Sequence, residues 1–263
     1  MNKNHDLFSL NGMVALITGA TGHLGREMSY ELAEHGAKVI LQGRNGVKVR
    51  ALHTEMKAKG LDVEEAVFDV RSEIEINEYF ASYPHKKLNI LVNNAYAGGA
   101  GSIETATSQN FRDSYEIAVT SAFLMIKNSL SFMKNLKDEN KSIINISSMY
   151  GVVSPDFSIY ENEQSYNPPF YGAAKAALIQ LSKYTAANLS KYQIRVNTIT
   201  PGAFPSPEAQ KNEKLLAGIN DRNLMRRPGR PSELRGPIAF LASPASSYVT
   251  GSNLIVDGGW TVT

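Results

Sequence analysis

Met13-Val14-Ala15-Leu16-Ile17-Thr18-Gly19-Ala20-Thr21-Gly22-His23-Leu24-Gly25 is the stretch that decides the fold. Five apolar residues in an unbroken run, ending on Thr-Gly, describe a strand buried on both faces. The glycines then give way to a helical pattern through Met28, Leu32 and Ala33, closed by Gly36. A strand, a glycine turn and a helix in that order predict a parallel βαβ start. Glycines at such a turn admit a tight bend, close approach of the backbone to an anion, and close helix–strand packing. On this reading Gly19, Thr21, Gly22, His23, Leu24 and Gly25 form a phosphate-binding loop; the plainer alternative is an ordinary glycine-rich turn.

The same alternation continues outward. Strands are expected at 39–41, 63–70, 88–93, 142–147, 194–199 and 253–256. Helices are expected at 46–59, after Ser72, at 108–136, at 171–192 and near 231–242. No repeat, linker or low-complexity block interrupts them, so residues 1–263 read as one domain. The expected fold class is α/β: a doubly wound, Rossmann-type parallel sheet of seven strands, ordered 3-2-1-4-5-6-7. Ligands of such sheets bind beyond the carboxyl ends of the strands. Two irregular segments, near 152–169 and 201–220, are read as substrate loops.

Composition narrows the classes of function. The chain has 263 residues, 43% hydrophobic and 20% charged, with a formal net charge of +2, so one large core is affordable and a nucleic-acid footprint is not expected. It has no cysteine, which removes disulfides, thiolate nucleophiles and cysteine-based zinc sites; no metal site is expected. Met1 to Asp6 is polar, without the apolar core of a signal peptide, and no apolar run reaches spanning length. A cytoplasmic protein acting on a small molecule, with neither membrane nor nucleic acid as partner, is the default.

Chemistry concentrates in Phe170-Tyr171-Gly172-Ala173-Ala174-Lys175. Tyr171 and Lys175 lie one helical turn apart on one face. A phenol is a poor acid or base near neutrality, and an ammonium beside it favours the phenolate. The spacing is common, and alone it equally describes a half-buried tyrosine beside a solvated lysine. Ser148 ends the fifth strand, where it could hydrogen-bond a substrate oxygen or merely cap a turn. Asn93, Asn94 and Ala95 end the fourth, lining a cleft or pinning loops.

Jointly these residues resemble the single-domain short-chain dehydrogenase/reductase family, gluconate 5-dehydrogenase-like and sugar-modifying members in particular. The landmarks run in family order from Phe8-Ser9-Leu10-x-Gly12 through the Thr18–Gly25 loop, Asp69-Val70, Asn93-Asn94-Ala95, Ser148, Tyr171/Lys175, Arg195-Val196-Asn197 and Pro201-Gly202 to Thr250-Gly251 and Asp257-Gly258-Gly259. The resemblance implies a nicotinamide cofactor and hydride exchange with a secondary alcohol or ketone: a sugar, polyol or keto-acid, a neutral polyol foremost. Tyr171 would be the acid/base, Ser148 would orient the reacting oxygen, and Lys175 would lower the Tyr171 pKa and hold the cofactor ribose. Asp69 and Val70 would lie near the adenine, Asn93 and Ala95 on the adenosine side, and Pro201, Gly202, Phe204 and Ser206 near the nicotinamide. A homotetramer or homodimer is implied as well.

Three departures from the family pattern stand out. His23 replaces the middle glycine of the loop, giving a spacing that resembles the epimerase-like branch. The family's asparagine, which in relatives supports a water relay, falls on Ala118; if that relay is merely altered here, Ala118→Asn is expected to be tolerated. Ser148 and Tyr171 are 23 positions apart, the extra residues carrying Phe157, Tyr160 and Tyr166. These features keep two alternatives open: a sugar-nucleotide epimerase or dehydratase that retains its cofactor, and a non-catalytic NADP-binding sensor. The end of the second strand bears on cofactor choice. Gly43 stands where NAD enzymes place a carboxylate, leaving open space, and Arg44 follows with a guanidinium suited to a 2′-phosphate. NADP(H) is the expected cofactor, with NAD(H) as the alternative.

Overall fold

The computed structural model describes residues 7–137 and 139–263. The polar opening on which the expectation of no signal peptide rested, Met1 to Asp6, lies outside them. Seven strands form one all-parallel sheet: β1 (Val14–Ile17), β2 (Lys38–Gly43), β3 (Val63–Val67), β4 (Ile90–Asn93), β5 (Ser142–Ile146), β6 (Arg195–Pro201) and β7 (Asn253–Val256). Their order is β3-β2-β1-β4-β5-β6-β7, as the alternation predicts. The strand order reverses between β1 and β4, which opens a crevice at their carboxyl ends.

Strand parity assigns the core to two faces. Ala15 and Ile17 of β1, with Val39 and Leu41 of β2, pack under α1 (His23–Glu34), α2 (Gly46–Ala58) and the late α8 (Arg235–Ala242). Val14, Leu16 and Ile40 point the other way, into a core with Ile76 and Phe80 of α3 (Glu73–Ala81), Leu124 and Met125 of α5 (Ser121–Met133), and Ala186 and Leu189 of α6 (Pro169–Leu189). Each such leucine or isoleucine contributes about 2 kcal/mol by leaving water. Local chemistry sets the helix starts. Asn45 accepts from the Lys48 amide, Ser72 accepts from the Glu75 amide, and Thr107 with Asn110 makes a reciprocal cap for α4 (Ser108–Tyr115). Pro169 begins α6 at the position where its missing N–H costs nothing.

Two elements differ from expectation. The stretch read as one helix over 108–136 is α4 and α5 joined by a π-helical turn, Glu116–Thr120, with Ala118 at its centre. Segment 201–220, read as a loop, runs into α7 (Glu213–Arg222), whose single buried residue is Ile219. Gly218 lets α7 approach the inserted loop closely: a Cβ there would sit 2.6 Å from Ile159 Cβ. Among the described residues no helix is long and apolar enough to cross a membrane.

Candidate active site

The crevice at the β1/β4 switch is a cleft of about 510 Å³. Its floor is the glycine loop. Gly19 adopts φ +63°, and a Cβ on it would meet Ala95 Cα at 2.9 Å, so only glycine suits this position. The loop is tied to the end of β4: Asn94 donates from Nδ2 to the carbonyls of Thr18 (2.9 Å) and Gly19 (3.1 Å), and Thr18 Oγ1 accepts from the Asn94 and Ala95 amides. The N-terminus of α1 has no side-chain cap, so its first amides remain available to an anion. His23 lines the cleft with its Nε2 buried and without a hydrogen-bond partner among the described residues. Loop, helix terminus and unpaired imidazole together fit a dinucleotide pyrophosphate.

Most of the residues expected at the cofactor line this cleft, and three do not. Thr21, Gly22, Leu24, Gly25, Arg44, Asp69, Val70 and Ala95 are among its lining. The Asp69 carboxyl is held below its ordinary pKa, chiefly by hydrogen bonds from Arg71. Asn93 is not in the lining. It is buried in the sheet, donating to Asn145 Oδ1 at 2.8 Å, and Asn145 in turn donates to Ser182 Oγ, so Asn93 ties β4 to β5 while Asn94 faces the cleft. Pro201 is the buried last residue of β6 and lines neither this cleft nor its neighbour. Ser206 is exposed and caps the turn at Ala209–Lys211, accepting from the Ala209 amide at 3.2 Å. The space above Gly43 is not vacant either: a Cβ there would lie 2.9 Å from Val49 Cγ2. Sequence reading overlooked Lys48, which joins Arg44 at the same end of the cleft, one turn into α2.

A second pocket, about 270 Å³, adjoins the ends of β5 and β6, with Ser148, Tyr171, Gly202 and Phe204 in its walls. Although Ser148 and Tyr171 are far apart in the chain, glycines bring them together. A Cβ on Gly151 would fall 2.9 Å from the Lys175 carbonyl carbon, and one on Gly172 would fall 2.6 Å from the Tyr150 carbonyl oxygen. The turn after β5 therefore packs directly on the first turns of α6. Ser147 Oγ donates to the Lys175 carbonyl at 2.9 Å, and Lys175 Nζ donates to the Ile146 carbonyl at 2.8 Å. Ser148 Oγ accepts from the Tyr150 amide at 3.2 Å and shares this pocket with Tyr171, close enough to act on its phenol.

The electrostatics differ from the simple expectation that Lys175 pulls the Tyr171 pKa down. Burial pushes the Tyr171 phenol up to about 12, and the Ser148 hydrogen bond offsets part of this. Desolvation pulls Lys175 down to about 8. Its ammonium stands 5.7 Å from the centre of the Tyr171 ring and 5.0 Å from that of Tyr96.

Tyr96 is a residue whose place sequence reading did not foresee. Its ring meets that of Tyr171 edge-on at 4.9 Å, and its hydroxyl bonds to Ser114 Oγ, which donates to the Phe170 carbonyl. The ring also packs on the small cluster Ala118, Val119 and Ala174. The missing asparagine side chain at 118 and the bulky Tyr96 thus occupy one neighbourhood.

A parallel α/β sheet with a glycine-loop cleft beside a Ser–Tyr–Lys cluster defines an NAD(P)-dependent oxidoreductase acting on CH–OH groups. Comparison with known proteins carries this further. The family profile described as enoyl-(acyl carrier protein) reductase matches residues 19–261. A tropinone reductase homolog of Arabidopsis thaliana is 34% identical over 258 residues, 97% of this chain and 92% of the relative. A gluconate 5-dehydrogenase from Burkholderia cenocepacia, solved with NADP and tartrate, superposes with a TM-score of 0.86 at 28% identity, covering 98% of each chain. Pseudomonas aeruginosa RhlG, solved with NADP, superposes with a TM-score of 0.88 at 31% identity, covering 98% of this chain and 99% of its own. The chain belongs to the short-chain dehydrogenase/reductase family.

Proposed function

We propose that this protein is an NADP(H)-dependent reductase of neutral ketones, or equally the dehydrogenase of the corresponding secondary alcohols. The observation that carries the reading is the convergence of Ser148, Tyr171 and Lys175 at one end of a pocket whose lining holds no charged side chain. Lys175 lies outside that lining with its Nζ engaged by the Ile146 carbonyl, so a carboxylate substrate would lose its hydration there without a cation in direct contact, which favours neutral compounds over keto-acids. NADP is supported by Arg44 and Lys48 at one end of the cleft, and by the NADP held by the two solved relatives.

The glycine loop and the α1 terminus would hold the cofactor's pyrophosphate, Arg44 and Lys48 its 2′-phosphate, and Lys175 its ribose. The bound nicotinamide supplies or accepts the hydride. Ser148 Oγ and Tyr171 Oη bind the carbonyl oxygen of a ketone. Tyr171, whose proton is held firmly by burial, donates it from Oη as negative charge develops on that oxygen. Lys175, 5.7 Å from the ring centre, stabilises the phenolate left behind, and its contact with the Ile146 carbonyl keeps it on that side of α6.

The test is a panel of neutral ketones and matching keto-acids followed at the nicotinamide absorbance, with Tyr171→Phe in parallel. Tyr171→Phe should lower kcat by a factor of 100 or more while cofactor affinity stays within a few-fold. Near-normal turnover by that variant removes Tyr171 from the mechanism.

A further inference from the structure

Behind the catalytic pocket lies a larger chamber, about 410 Å³, that the inserted segment builds. Its walls include Val153, Pro155, Pro168, Pro169 and Ala173 of α6, with Phe157 and Tyr166, whose rings meet at 4.7 Å. Most of this surface is apolar. The two charged side chains at its walls, Glu104 and Glu163, are both exposed acids, and no lysine or arginine is among them.

The chamber and the catalytic pocket share two wall residues, Tyr150 and Asn167. Tyr150 presents an apolar ring to the boundary because its hydroxyl is engaged with that of Tyr160 at 2.9 Å. Burial drives its pKa well above the ordinary phenol value, so it remains neutral. Asn167 brings the one unsatisfied polar atom at the boundary: its Oδ1 is buried and has no hydrogen-bond partner among the described residues. A buried acceptor left unpaired is costly, and a ligand carrying an O–H or N–H at that point would relieve it.

We propose that this chamber is a second substrate subsite, which takes a neutral hydrocarbon portion of the molecule whose carbonyl is held at Ser148 and Tyr171. The proposal rests on the function proposed above and narrows its substrate class to ketones or secondary alcohols with an extended aliphatic or aromatic tail. Anionic tails are disfavoured by Glu104 and Glu163, and a small polyol would leave the apolar walls in contact with water. Asn167 adds preference for a hydroxyl or amide between the reacting carbon and the tail.

Binding and turnover separate the two readings. The straight-chain methyl ketones from 2-butanone to 2-decanone would be titrated calorimetrically into protein saturated with NADP⁺, where ketone reduction cannot proceed, and assayed separately with NADPH. Kd should fall by roughly three- to fourfold per added methylene until the chamber is filled. Ala173 is exposed on α6, so Ala173→Trp can fill the chamber from its rim; it should abolish this chain-length dependence and leave 2-butanone unaffected. Ala173→Met, a milder filling, should shorten the series at which the gain stops. A length-dependent Kd that Ala173→Trp removes supports the subsite even if no ketone turns over, a result that would refute the proposed activity alone. A Kd independent of chain length, or a dependence that survives in both variants, overturns the subsite.

Discussion

Ala118→Asn restores the residue that the family usually carries, yet the structure predicts that it is harmful here. Ala118 is 3% exposed and belongs to a cluster with Val119 and Ala174 on which the Tyr96 ring is packed. Forcing extra atoms into a packed site costs about 1–3 kcal/mol. An amide buried there without partners adds about 1–3 kcal/mol more. For a chain of this size each kcal/mol lowers Tm by roughly 2–4 °C, so a loss of roughly 4–24 °C is expected. The cause is testable by a double-mutant cycle with Tyr96→Ala, measured as Tm at a fixed scan rate for all four proteins. If Tyr96 is what crowds position 118, the double variant should be less destabilised than the two single losses together, by about 1–2 kcal/mol. Strict additivity, or an Ala118→Asn protein as stable as the parent, would show that Tyr96 and the missing asparagine are unrelated. That second outcome would return the site to the tolerance expected from sequence.

Lys175 offers a test of linkage. Its pKa falls from 10.5 to about 8 in the folded protein, so below pH 8 the fold carries a buried charge that the unfolded chain solvates. The unfolded state therefore binds more protons between about pH 8 and 10.5, and this group's contribution makes stability rise with pH across that window. Lys175→Met should raise stability at pH 7 by about 2–3 kcal/mol, lessened by the lost bond to Ile146, while abolishing turnover; denaturant melts at pH 7 and 10 that show no gain, or an equal one, refute it. Arg44→Ala and Lys48→Ala should each cut kcat/KM for NADPH by roughly tenfold and leave NADH nearly unchanged. Equal losses with both cofactors would mean that neither side chain reads the 2′-phosphate.

What could be read from sequence depended on how local its physical cause was. Runs such as Val14–Ile17 and Ser142–Ile146 are buried on both faces, and that leaves its mark within a few residues. The cleft was legible for the same reason, because Gly19 and Gly25 are dictated by backbone approach in their own loop. α7 was not, since one buried residue, Ile219, leaves no periodic stripe. Asn93 and Asn94 are indistinguishable in composition; only the pairing of Asn93 with Asn145 across β4 and β5 decides which amide stays in the sheet. Tyr96 was invisible because its role is made of contacts to positions 114, 118 and 171, none of which its own neighbours encode.

The insertion shows why chemistry and specificity can part company in one chain. It separates Ser148 from Tyr171 by 23 positions, yet Gly151 and Gly172 fix the turn after β5 to α6 independently of what loops out between them. Lengthening such a loop is entropically cheap, about 0.6 kcal/mol per doubling. The added residues also stabilise one another: Tyr160 bonds to Tyr150, Phe157 and Tyr160 pack on Tyr166, and Ile159 seats against Gly218 of α7. A segment held at both ends and packed on itself can reshape the pocket wall without moving the reacting hydroxyls. Substitutions at Phe157 or Tyr166 should therefore alter KM across substrates, whereas changes at Gly151 or Gly172, which separate β5 from α6, should lower kcat for every substrate alike.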